Sequence, residues 1–132
     1  MAASVRRLIH ALFRSARPLG GVILALLAGV VATRLRYDFI EPEALGAACQ
    51  SGTPWWCAPR TALIVLTQWN LFGTLAIAAA VAALLPLPGR VLLAHAALCI
   101  AGAGVVLYNA SYCAAALVLA LLGLAYGRQD AA

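Results

Sequence analysis

Charge is scarce in this sequence. Only 10% of the 132 residues are charged, lysine does not occur, and four acids stand against nine arginines. Asp38, Glu41 and Glu43 share one short stretch, so no long apolar run carries a carboxylate. That absence argues against an obligate proton or cation carrier, which needs such a group at membrane depth. Of the two histidines only His95 falls in an apolar run, which excludes haem ligated by two histidines of one chain. No Cys-x-x-Cys pair exists, so the spacing of thiol relays is missing. His95 and Cys99 stand at i and i+4, where they could share a metal, but no second ligand pair accompanies them. No metal site and no resident cofactor are expected.

Apolar residues are what the chain has: 65% of its residues are hydrophobic, and its mean hydropathy is +0.98. A water-soluble domain of this size needs more polar surface than that, so lipid is the expected solvent. The net charge of +5 does not indicate nucleic acid, because the arginines lie scattered at the ends of apolar runs. Arginine without lysine, in an alanine-rich chain, points to a bacterium with GC-rich codons.

The pattern predicts an all-α, polytopic membrane protein forming a single transmembrane domain. Four helices in a bundle are expected, at residues 18–36, 59–85, 90–107 and 111–127. Pro59 suits the first turn of the second span, and Pro86, Pro88 and Gly89 end it. The uncharged run from Arg90 to Arg128 is too long for one crossing. Its polar middle, Tyr108-Asn109-Ala110-Ser111-Tyr112, reads as a turn flanked by interfacial tyrosines. Arg6, Arg7, Arg14, Arg17, Arg90 and Arg128 on one side outnumber Arg34, Arg36 and Arg60 on the other. Both termini are therefore expected in the cytoplasm of a bacterial inner membrane. The first apolar run also has features of a cleaved signal, but its long basic lead and the closely following Arg34 favour retention.

Residues 4–17 form a separate amphipathic pattern. Val5, Leu8, Ile9, Leu12 and Phe13 recur at helical spacing, with Arg6, Arg7, His10, Arg14 and Arg17 opposite. Such a helix suits a membrane interface, with its arginines at lipid phosphates.

Polar residues inside the spans are expected to face other helices. Thr67, Asn70 and Thr74 share one face of an unbroken second helix, Thr61 and Gln68 share another, and His95 is expected to bond a neighbouring helix. Cys99 reads as a small apolar filler.

Residues 37–58 form the one sizeable extramembrane segment, read as periplasmic. Glu43 and Pro42 mark a short helix start, and Trp55 and Trp56 return the chain to the interface. Cys49 and Cys57 are spaced to close a ring, and an oxidising compartment favours a disulfide between them. The competing reading is redox chemistry at Cys57, where a helix start and Arg60 would stabilise a thiolate, with Cys113 at similar depth. Four helices with outward cysteines resemble the quinone-linked disulfide-forming membrane proteins, although that family's Cys-x-x-Cys and second loop pair are missing here.

The expected function is that of a small non-enzymatic accessory or structural subunit, binding lipid or a larger membrane complex, or associating with itself. A quinone-linked thiol-disulfide oxidoreductase and a small oligomeric transporter are the alternatives.

Overall fold

The computed structural model describes residues 2–126, with the side chains of 4–7 and 16–125. Among the sequence expectations, the placements of Leu8, Ile9, His10, Leu12, Phe13, Arg14, Gly127 and Arg128 lie outside that set.

Every regular element among the described residues is a helix. The first, α1, spans Ala2–Leu35 and runs through Pro18 without a break. Residues 4–17 and 18–36, expected as two segments, are thus continuous. A π-helical turn, Arg36–Ile40, follows. Next come α2 (Glu43–Ser51), α3 (Cys57–Gln68), α4 (Leu71–Leu84), α5 (Arg90–Val106) and α6 (Ala110–Tyr126).

The second expected span, 59–85, is broken. Helices α3 and α4 meet at 61°, and the break is Asn70, whose φ of +53° lies in the left-handed region. Asparagine tolerates that region better than most residues. Among the described residues one segment, Ala16–Ile40, is long and apolar enough by itself to cross a membrane, and a second is if α3 and α4 count together. The apolar α5 and α6 have 17 residues each.

Helices α4, α5 and α6 pack against one another, and α1 packs mainly on α5. His95 of α5 meets Arg17 of α1 at one end, and Arg36 meets Val106 at the other. Those two helices therefore run parallel, while α4 and α6 run against α5.

The core is built from small residues. Ala76, Ala80, Ala97, Ala101, Ala116 and Ala120 are fully buried, joined by Leu98, Cys113 and Leu124. Small side chains let helices approach closely. At the closest approach, a Cβ on Gly102 would collide with the Ala25 carbonyl of α1. The large apolar side chains point the other way: Leu19, Leu26, Leu27, Val30, Val31, Leu92 and Val118 are each more than half exposed.

Candidate functional site

The polar groups gather at the end of the bundle where α1 finishes and α5 turns into α6. Arg36 organises this end. Its Nε donates to Glu41 Oε1 at 2.7 Å, and its Nη1 donates to the Val106 carbonyl at 2.9 Å. Its guanidinium lies 4.1 Å from the Tyr108 ring centroid, a cation–π distance. Tyr108 has φ +68°, a conformation disfavoured for a residue with a Cβ. Its hydroxyl donates to the same Glu41 oxygen at 2.6 Å, which holds the turn to the segment after α1.

The π-helical turn is held from α3. Arg60 donates from Nε to the Phe39 carbonyl at 3.1 Å and from Nη2 to the Ile40 carbonyl at 2.6 Å. Carbonyls at a helix end lack intrahelical donors, and a guanidinium supplies them. Cys49, near the end of α2, is disulfide-bonded to Cys57, which opens α3. Phe39 and Trp56 meet edge to face at 6.4 Å between centroids. Trp55 beside them is 85% exposed.

Asn109 closes the break between α3 and α4. Its side chain is buried, and it donates from Nδ2 to the carbonyls of Thr67 and Leu107. Its Oδ1 accepts from the Gly73 amide at 3.3 Å. Thr67 and Gly73 stand on either side of the break, so one amide bonds a carbonyl before it, which also accepts from the Asn70 N–H, and a first-turn N–H after it. A Cβ on Gly73 would overlap the Tyr112 side chain, so glycine here lets α6 come close.

A cleft of about 530 Å³ lies beside this joint, lined by Ile40, Glu41, Ile64, Thr67, Gln68, Asn70 and Tyr108. Three of the expected intramembrane polar residues, Thr67, Gln68 and Asn70, therefore meet at one cavity. They do not bond other helices through their side chains as expected. Thr67 donates to Ile64 of its own helix, and Thr74 donates to Asn70 and Leu71. The left-handed break at Asn70 also divides the helix face that Thr67, Asn70 and Thr74 would share in an unbroken helix. The interhelical role falls to Asn109, which reads in sequence as an ordinary turn residue.

At the opposite end, both ring nitrogens of His95 approach carbonyls, Nδ1 that of Val91 at 2.7 Å and Nε2 that of Arg17 at 3.3 Å. The second contact joins α5 to α1, as the helical placement of His95 suggested. Arg6, Arg7 and Arg17 are exposed. Cys99, expected as a filler, is exposed, whereas Cys113 is buried against Gly104. Among the described residues no three His, Cys, Asp or Glu side chains form a group that could hold a metal ion.

Comparison with protein-family models, curated proteins and solved structures gives no match to this chain.

Proposed function

We propose that the chain is an integral protein of a bacterial inner membrane, serving as a non-enzymatic accessory subunit of a larger membrane complex. Its crossings are α1, the bent α3–α4 pair, α5 and α6, with both termini cytoplasmic. The observation that carries this reading is the distribution of apolar side chains. Alanine fills the core, while Leu26 is 65% exposed, Val31 67% and Leu92 75%. In water that arrangement would leave the larger apolar surfaces wet, whereas in lipid the outer face needs no protein cover and small residues drive helix contact. The connection between α1 and α3 is tied down by Arg36, Arg60 and the disulfide. It has the character of a rigid docking feature.

The test is alkaline extraction of membranes, followed by purification of the tagged chain in mild detergent. Retention in the membrane pellet and a stoichiometric larger partner are expected. Release by alkali would end the membrane reading, and recovery of the chain alone would end the accessory role. Thiol trapping bears on the quinone-linked alternative: cysteines that cycle between oxidised and reduced when quinone is supplied would replace the subunit reading with an enzymatic one.

A further inference from the structure

The cleft at the α3–α4 break has a charge pattern and a shape that go beyond a subunit role. Its one ionisable side chain at neutral pH is Glu41. Both of the bonds that hold this carboxylate, from Arg36 and from Tyr108, end on Oε1. The second oxygen keeps its lone pairs. Arg36, bonded to Oε1, is not among the residues that line the cleft.

The last turn of α3 supplies Ile64, Thr67 and Gln68 to the wall. The side chains of Gln68 and Asn70 make no hydrogen bond among the described residues, and each offers an amide oxygen to a donor. Ile40 and Ile64 are apolar walls beside them. A phosphate or carboxylate would meet Glu41 and no cationic side chain among the lining residues. A bare metal ion would find one carboxylate and no second charged ligand. An ammonium group brings three N–H donors and a positive charge, matching a carboxylate and two amide oxygens. The volume of about 530 Å³ suits a small organic molecule and far exceeds a lone ammonium.

We propose that this cleft binds a primary ammonium group carried on an apolar body, the chemistry common to an aminophospholipid headgroup and a free alkylamine. Glu41 pairs with the charge, Gln68 and Asn70 accept its N–H bonds, and the isoleucines cover the adjoining carbons. A lipid source rests on the membrane reading above, while the site itself does not.

The experiment is calorimetric titration of the full chain in maltoside micelles. The probes are hexylamine, hexanol, dioctanoyl phosphatidylethanolamine and dioctanoyl phosphatidylcholine. Saturable binding of hexylamine but not of hexanol is expected. Gln68→Lys, which puts a cation in the cleft, should weaken it at least tenfold, and Gln68→Glu should strengthen it about threefold. Gln68 is exposed and unbonded, so both variants should melt like the parent, which separates loss of binding from loss of fold. Binding of phosphatidylethanolamine but not phosphatidylcholine assigns a lipid source, and binding of hexylamine alone assigns a free amine. Equal binding of amine and alcohol, equal binding of both lipids, or indifference to Gln68→Lys would overturn the site. A chain that leaves membranes in alkali yet binds hexylamine would overturn the membrane reading only.

Discussion

Tyr108 donates its hydroxyl proton to Glu41 Oε1 across 2.6 Å, joining positions 67 residues apart. The bond ties the α5–α6 turn to the segment that leaves α1, and it links the ionisation of the two groups to folding.

Stability should depend on pH at both edges. Glu41 is held below the usual carboxylate range, first by the Tyr108 hydroxyl and then by Arg36. A depressed folded-state pKa contributes stability that is present above the unfolded value, about 4.3, and lost as pH falls through the folded value. Tyr108 is pushed up, first by its bond to Glu41 and then by desolvation. Its contribution is present below its unfolded value, about 10, and lost as pH rises through the folded one. Unfolding midpoints in detergent should be level between about pH 5 and 9 and fall on either side. Glu41→Gln should flatten the acid edge, and Tyr108→Phe the alkaline one. An acid edge unchanged in Glu41→Gln would assign it to other carboxylates.

Asn109→Leu should be among the most damaging single changes. It strips a 1% exposed position of two donated bonds and one accepted bond. The Gly73 N–H would be left without its acceptor in an apolar setting, and the Thr67 carbonyl would keep only its bond from Asn70, at a cost of about 2 kcal/mol. Denaturing-detergent titration followed by circular dichroism measures this. A loss under about 1 kcal/mol would mean that the break holds without its amide.

Two glycines should respond in opposite directions to the same change. Gly20 has open space where a Cβ would go, while Gly102 faces the Ala25 backbone. Gly20→Ala should stabilise by about 0.5 kcal/mol through helix propensity. Gly102→Ala should destabilise by about 2 kcal/mol, because α1 must move away from α5. The same detergent titration compares them, and equal shifts would refute a close α1–α5 approach.

Removing the disulfide should loosen the connection without dissolving the bundle. Cys49→Ser with Cys57→Ser releases a short ring worth about 2.5 kcal/mol by chain entropy. Native thiol labelling of the parent should reach exposed Cys99 readily and buried Cys113 only after denaturation. Fast labelling of Cys49 or Cys57 without reductant would contradict the bonded pair.

Much of the helical framework was readable because local signals agree with the final fold. Pro42 and Glu43 do open a helix, Pro86 and Gly89 do separate two, and the Cys49–Cys57 ring does close. The break at Asn70 was not readable, because Leu63 to Ala83 forms a nearly continuous apolar run and apolarity measures length rather than straightness. Its one local trace is Asn70 itself, an asparagine inside that run. The cleft was half visible. Thr67, Gln68 and Asn70 stood out as polar residues among apolar ones, but Glu41 and Tyr108 reach the same cavity only through tertiary contacts. Asn109 was hidden for a similar reason. Its role depends on Gly73, 36 positions earlier, and turn chemistry alone accounts for an asparagine at that place.

The parallel seat of α1 on α5 constrains the order of assembly. Arg17 and His95 are 78 positions apart, and α1 has few contacts with the other helices. As the chain emerges from the ribosome, α1 is complete long before its partner exists, so it must persist as an unpaired helix throughout the synthesis of α2, α3 and α4. Its apolar outer face and bracketing arginines equip it to wait alone. Docking of α1 can begin only once α5 has been made.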